Sequence, residues 1–355
     1  MTWWQRLKKN PLAQFGAFLL IAFYIVAIGA EFFAPYNPLA SQPDGSLLPP
    51  TQVYWRNTEG QFIGPHVYPT TQGPTMLETG KREIKVDRTQ PSAIRLFVKG
   101  DEYKLFGLIP GRLHLFGTTG AAKCNVLGTD EPGRDQLSRL IYGSRISLFI
   151  GLVGIAISFP LGMMVGGISG YFGGWVDTIL MRAVEVLMTI PGIYLLVALA
   201  SVLPPGLTSA QRFLLIVVIT SFISWSGLAR VIRGQVLSLK EREFVQAARS
   251  MGANPFYIII RHVLPQTATY AIVSATLAIP GFIVAESVLS LIGLGIQQPD
   301  PSWGNMLSNA TNASILVFQP WLVWPPALLI ILTVLAFNLL GDGLRDALDP
   351  RSLQR

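Results

Sequence analysis

The chain has 355 residues, 50% apolar and only 13% charged, with 27 Lys and Arg against 20 Asp and Glu for a net charge of +7. Soluble domains carry about 25% charged residues, so lipid rather than water is the expected main solvent, and an excess of Lys and Arg then reads as an orientation signal at the inner leaflet. The single cysteine, Cys124, excludes an internal disulfide and a cysteine-built metal cage, and no nucleic acid is expected as a partner.

The first apolar run, Phe15–Ala34, follows Arg6, Lys8 and Lys9. At about 20 residues it exceeds the roughly 7–15 of a signal-peptide core, and it meets Glu31, Pro35 and Pro38 without a small-residue cleavage site. Residues 1–35 are therefore expected to be a cytoplasmic N-terminus and a retained first span, with a cleaved signal peptide as the alternative. Residues 36–125 are polar and rich in Pro and Gly. Ile94–Val98 and Tyr103–Phe106, separated by Lys99–Glu102, and then Arg112–Phe116 alternate like strands, which predicts a hairpin. A small β-rich domain on the outer face follows, with Tyr54, Trp55, Phe62, Tyr68, Phe97, Tyr103, Phe106 and Phe116 as candidate core. A disordered loop is the alternative.

Residues 126–355 are expected to form a helical core. A span needs about 20 apolar residues, and five more runs qualify: Ile146–Tyr171, Thr178–Leu203, Phe213–Val231, Tyr270–Ile296 and Trp321–Leu340. Pro160, Pro191, Pro280 and Pro326 are expected bends. Arg230, Arg233, Lys240, Arg242, Arg249 and Arg261 lie between the fourth and fifth runs, and Arg345, Arg351 and Arg355 in the tail, whereas Gln297–Pro320 has no Lys or Arg and the stretch near Pro204 only Arg212. Both termini and the 230–265 segment are thus expected in the cytoplasm. Arg134, Arg139 and Arg145, just before the second run, stand against that rule.

Chemistry-bearing patterns are few. There is no GxxxxGK[ST] phosphate loop, since Gly80-Lys81-Arg82 lacks the upstream Gly and the hydroxyl. His66, His114 and His262 are scattered, without metal-ligand spacing, and are expected at the polar surface. No catalytic residue and no metal site is expected. Asp130, Arg134, Asp135, Arg139 and Arg145 recur at helical spacing and predict an interfacial helix pinned by ion pairs. Gly162, Gly166, Gly170 and Gly174 repeat every four residues, a stripe that lets helix backbones approach. Arg182 and Glu185 are spaced to neutralise each other; Glu286, inside the fifth run, has no local basic partner.

The segment 232–265 stands apart. Phe244, Ala247, Ala248 and Met251 fall on one face of a short helix that Gly252 can end, and Asn254-Pro255 can start the next. An amphipathic helix between two spans must bury its apolar face; the membrane interface is one option. The segment also resembles the EAA loop of ABC-importer permeases, keeping Ala247, Ala248, Gly252, Leu264 and Pro265 at the family spacing. That resemblance implies an ATPase-coupling set of Glu243, Phe244, Gln246, Ala247, Ala248, Met251, Gly252, Leu264 and Pro265. Gln246 stands where the motif has its first Glu, which leaves a salt bridge to the ATPase at that point unsupported.

Leu127-Gly-Thr-Asp130-Glu-Pro-Gly133-Arg134-Asp135-Gln-Leu-Ser138-Arg139-Leu-Ile-Tyr-Gly143-Ser-Arg145, Glu286–Gly295, Pro301-Ser-Trp303-Gly304-Asn305-Met306 and Asn338–Pro350 are similar to the C-type subunit of dipeptide, oligopeptide and nickel importers. The resemblance covers all but roughly residues 40–120. It implies an all-α polytopic protein of the type I ABC-importer permease fold with six transmembrane helices, carrying the β-rich extracytoplasmic insertion between helices 1 and 2. It further implies a transport subunit of the inner membrane, not itself an enzyme, that imports di- or oligopeptides by alternating access. Implied partners are a second homologous permease, two ATP-binding subunits that hydrolyse ATP with Mg, an extracytoplasmic substrate-binding protein and the lipid bilayer. Glu286 would then either face the translocation path and meet a peptide amino group, or cap a backbone break near Ser287. The alternative function is an ion-coupled secondary transporter or channel, which calls for inverted repeats and intramembrane ion ligands.

Overall fold

A computed structural model describes residues 3–75, 82–105, 107–204 and 206–349. Gly80, Lys81, Phe106, Pro350, Arg351 and Arg355, named above, lie outside the described residues. In chain order the elements are α1 (Trp3–Leu7), α2 (Pro11–Ile28), α3 (Ala30–Phe33), β1 (Tyr54–Arg56), β2 (Phe62–Val67), β3 (Thr70–Thr75), β4 (Arg82–Val86), β5 (Ser92–Leu105) and β6 (Ile109–Thr119). There follow α4 (Gln136–Phe172), α5 (Gly174–Thr189), α6 (Gly192–Ser201), α7 (Ser209–Leu239), α8 (Glu243–Ser250), α9 (Pro255–Ile258), α10 (Ala268–Leu291), α11 (Trp303–Leu307), α12 (Ala313–Phe318) and α13 (Trp324–Leu348).

Among the described residues five helical segments are long and apolar enough to cross a membrane, and α5 with α6 make a sixth if that pair, bent by 85°, is one span. The four expected bends differ for a physical reason. Pro191, between α5 and α6, sits at the 85° break, whereas Pro160 and Pro280 lie inside unbroken helices. Pro326 falls in the first turn of α13, where a missing N–H leaves nothing unpaired.

The chain divides into two compact units. The first comprises Met1–Leu20, Phe149–Leu289 and Leu332–Arg355. Its α4 and α7 pack without intervening side chains: a Cβ built on Gly162, Gly166 or Gly170 would lie 2.8, 2.4 or 2.8 Å from the carbonyl oxygens of Trp225, Ala229 and Arg233. Helices in lipid gain little from apolar burial and associate by close packing, so this seam holds the pair together. Gly174 is not part of it. It lies beyond the end of α4, opening α5 at φ +55°, with no atom within 4 Å of its side-chain position. Beside the seam Asp177 of α5 accepts from Arg233 Nε at 2.7 Å and from its terminal nitrogen at 2.5 Å, so one loop cation counted for orientation is spent inside the unit. Thr208 and Gln211 cap α7 reciprocally. Arg182 and Glu185 pair at 2.9 Å, both exposed.

The second unit comprises Ile21–Leu148 and Ser290–Ile331. It holds a four-stranded antiparallel sheet in the order β1-β2-β5-β6 and a two-stranded sheet β3-β4. Strands are therefore present between the first and second spans, but the hairpin differs from the expected one. Lys99–Glu102 is not its turn: β5 runs straight through, with a register shift between Lys99 and Tyr103, and the chain reverses after Leu105, which pairs with Ile109. The core is not aromatic either. It is built from Val67, Ala122 and Cys124 with Ile94, and of the expected aromatics among the described residues only Tyr68 is buried, while Trp55, Phe62 and Phe97 are exposed. His66 and His114 are buried, not at the surface: the His66 ring nitrogens meet the Gly64 carbonyl and the Tyr68 hydroxyl, and those of His114 the carbonyls of Ala34 and Asp101.

The acid and base cluster before the second span is a turn rather than an interfacial helix, because Gly133 takes φ +83° and α4 begins only at Gln136. Asp130 accepts from Arg134 Nε at 2.8 Å and pairs with Arg139 Nε at 3.3 Å, while Gln298 Oε1 accepts from both guanidinium groups at 2.8 and 2.9 Å. Arg145 pairs with Glu31. Arg134 and Arg139 are buried, and so these cations are neutralised in place.

Asp135 caps α4, its Oδ2 accepting from Ser138 N–H and Oγ–H at 2.7 Å each, while Oδ1 is buried without a partner. Burial pushes its carboxyl up to about 6, against the opposing Ser138 hydrogen bonds and Lys123. A folded-state value above the unfolded one means that the folded chain holds the extra proton between about pH 4 and 6, so stability from this group is full below that window and is lost as pH rises through it. We expect the melting temperature of the protein to rise between pH 7 and 5 by an amount worth roughly 1 kcal/mol. Asp135→Asn keeps the acceptor for Ser138 and carries no charge, so subtracting its pH profile from that of the parent isolates the effect; superimposable profiles would refute it.

Candidate functional site

The site is the stretch between α7 and α10, all within the first unit. Glu243 sits in the first turn of α8 and Arg249 in the last, both favourable to the helix dipole. Gly252 ends α8 at φ +79°, with its N–H bonded to the Arg249 carbonyl at 3.0 Å and that of Ala253 to the Ala248 carbonyl at 3.1 Å. That pairing is a Schellman stop, which favours glycine because a side chain is strained there. Asn254 Oδ1 then accepts from Phe256 N–H at 2.9 Å and Pro255 takes the first helical position of α9.

Pro265 has no N–H for the carbonyl one turn back, and its ring needs room. The backbone widens to a π-turn over Ile259–Val263, with Leu264 N–H reaching the Ile259 carbonyl, then tightens to a 3₁₀ turn over Leu264–Thr267 before α10. Leu264 is buried by this detour and Pro265 is exposed.

The packing divides the expected face of α8. Ala248, together with Val245, enters a core made by Leu228, Ile232 and Val236 of α7 and by Ile258, Ile259, Val263 and Leu264. Ala248 is thus 3% exposed and faces this chain's own interior, which corrects its expected place on an outward apolar face. Phe244, Ala247 and Met251 remain on the outside, Phe244 at 42% and Met251 at 81% exposed. Gln246 is half-buried and turns back, its Nε2 donating to the Lys240 carbonyl at 3.1 Å. Sequence reasoning missed Val245, and with it the buried face; the signal was its i, i+3 spacing with Ala248 opposite the i, i+4 row Leu228, Ile232 and Val236. It also missed Phe256, Tyr257 and Ile260, all exposed just beyond the stop.

Glu286 lies on α10, away from this stretch in sequence, and is 0% exposed. Ser287 Oγ donates to the Ile283 carbonyl at 2.8 Å within an unbroken helix, so no backbone break exists there for Glu286 to cap. Among the described residues no three of His, Cys, Asp or Glu are grouped to hold a metal.

Residues 158–354 match the family described as binding-protein-dependent transport system inner membrane component, and residues 2–50 match the N-terminal TM domain of oligopeptide transport permease C. The chain is 34% identical over 348 residues to the dipeptide transport system permease protein DppC of Bacillus subtilis, covering 98% of this chain and 84% of that protein. It is 44% identical over 224 residues to the oligopeptide transport system permease protein OppC of Haemophilus influenzae, covering 63% and 70%. With the glutathione transport system permease protein GsiD of Pectobacterium atrosepticum it shares 41% over 232 residues, covering 65% and 74%. Among solved structures, a chain of the MetNI methionine ABC transporter in inward facing conformations is similar at TM-score 0.46 and 18% identity, over 60% of this chain and 97% of that one. With more than half of its length in the family match and nearly all of it aligned to one permease, this chain belongs to the binding-protein-dependent transport system inner membrane components.

Proposed function

We propose that the chain is one of two transmembrane permease subunits of an ATP-driven importer of di- or oligopeptides, and that α8 couples it to an ATP-binding subunit. The observation that carries the coupling role is the outward set Phe244, Ala247 and Met251 on a helix whose opposite side is locked into the permease core. A helix gripped from behind transmits force to the spans it is packed on, whereas a helix floating at a membrane surface does not. The peptide substrate is supported by relatives named for dipeptide and oligopeptide transport.

The fold we assign is the six-span type I permease, with α5 and α6 together as one span and the strands of residues 36–125 forming an extracytoplasmic insertion. Both termini lie in the cytoplasm. Arg230, Arg242, Arg249 and Arg261 are exposed on that side, while Arg134, Arg139 and Arg145 on the other are tied to Asp130 and Glu31 and no longer count as free charges. A second homologous permease, two ATP-binding subunits that consume ATP and Mg, and a substrate-binding protein complete the assembly.

The test is uptake of a labelled tripeptide by proteoliposomes holding the assembled complex and its binding protein. Uptake is expected to require ATP and to persist in a protonophore. Uptake by this chain without the ATP-binding subunits, driven by an ion gradient, would replace the reading with a secondary transporter.

A further inference from the structure

The run Leu105-Phe-Gly-Leu-Ile-Pro-Gly111 carries no charge and is bracketed by Lys104 and Arg112. Its described residues, Leu105 and Gly107 to Gly111, lie at the end of the β5–β6 hairpin, where Leu108 is 82% and Ile109 60% exposed. Turns that face water are built from Gly, Asn, Asp, Ser and Pro. Large aliphatic side chains displayed on a hairpin end instead mark contact with an apolar phase or partner.

Two observations identify that phase as lipid. The hairpin is fastened to the end of the first span: His114 Nδ1 lies 2.6 Å from the Ala34 carbonyl oxygen, Asn37 N–H donates to Asp101 Oδ2 at 3.1 Å, and the Phe97 ring meets that of Phe32 at 6.3 Å between centroids. Phe32 ends a helical row begun by Ile21, Ile25 and Ile28, all three exposed as a lipid-facing surface must be, and Leu96 and Phe97, also exposed, carry that row onto β5. The apolar surface of the span therefore continues onto the base of the hairpin, with the exposed polar residues Lys99, Asp101 and Glu102 between that base and the tip. The charges also fit. Lys104 and Arg112, the latter sharing an exposed pair with Glu102, stand where long cationic side chains reach lipid phosphates while an apolar tip lies among acyl chains.

We propose that the β5–β6 tip is an interfacial membrane anchor, with Leu108 and Ile109 among the acyl chains and Lys104 and Arg112 at the phosphate level beside the first span. This anchor holds the insertion down against the bilayer and does not depend on which solute is transported.

The assembled complex, in nanodiscs, is labelled with an environment-sensitive fluorophore at Leu108→Cys, or at Glu59→Cys in the exposed β1–β2 turn as control; the native Cys124 is buried. Brominated lipid is expected to quench the label at 108 at least twofold and aqueous iodide to leave it unchanged, with the reverse at 59. Iodide quenching at 108 without bromolipid quenching would put the tip in water, and protection from both would put it against a protein partner; either result overturns the anchor.

Discussion

Replacing Phe244 and Met251 together by aspartate is expected to leave the complex folded in the membrane and to lower ATP-driven peptide uptake at least 20-fold. Both side chains point away from the permease core, so two carboxylates there meet water in the isolated chain and cost it little. In a docked state the same carboxylates would be stripped of water, which costs a few kcal/mol for each unpaired charge. ATP hydrolysis by the complex should lose its response to the loaded binding protein, read in the same proteoliposomes. Ala248→Arg is the informative contrast. That side chain lies among Ile232, Val245, Ile259 and Leu264, so arginine there should abolish folding rather than coupling. Normal uptake by the double aspartate variant would remove α8 from the ATPase interface.

Gly166→Val is expected to destabilise the helical unit itself. The added Cβ would stand 2.4 Å from the Ala229 carbonyl and 2.9 Å from the Ile232 Cβ, closer than real contacts allow. Backbone, not a flexible side-chain end, must give way, and α4 must separate from α7 along the matched positions 162, 166 and 170. Overpacking costs about 1–3 kcal/mol in ordinary cores; with rigid helices on both sides we expect the upper end, a melting temperature lower by roughly 10 °C. Gly234→Ala provides the control, since its Cβ meets nothing within 4 Å and alanine favours the helix by about 0.5–1 kcal/mol. Equal melting temperatures for Gly166→Val and the parent would show that the seam does not hold the pair.

The apolar runs were legible because a bilayer imposes a length that no other environment demands, and every expected run corresponds to a helix or, for residues 178–203, to the bent pair α5 and α6. The stop at Gly252 and the restart at Asn254-Pro255 were legible because each follows from backbone chemistry within a few residues. The glycine row was legible for the same reason, as small residues at four-residue spacing have few other uses in a lipid-embedded helix.

What failed depended on contacts distant in sequence. The insertion's aromatics suggested a core, yet Trp55, Phe62 and Phe97 are exposed, because the strands bury small residues such as Ala122 and Cys124 instead. The turn assigned to Lys99–Glu102 was displaced because β6 pairs with β5 on both sides of it, and pairing along a whole strand outweighs one local glycine. His66 and His114 have no sequence signal for burial, since their partners are mainly backbone carbonyls brought near by the fold.

By itself the sequence determined that this protein lives in lipid, how many apolar runs it has, and where its short helix between two spans begins and stops, because these follow from composition and local backbone preference. Only the tertiary structure decided which side of that helix is free. A helix of eight residues that carries Phe244, and Met251 at its C-cap, on one side and Val245 and Ala248 on the other has two candidate apolar faces. The choice is made by Leu228, Ile232, Val236 and Leu264, which accept the smaller face because a close-packed interior has room for valine and alanine there and leaves the phenylalanine and methionine outside.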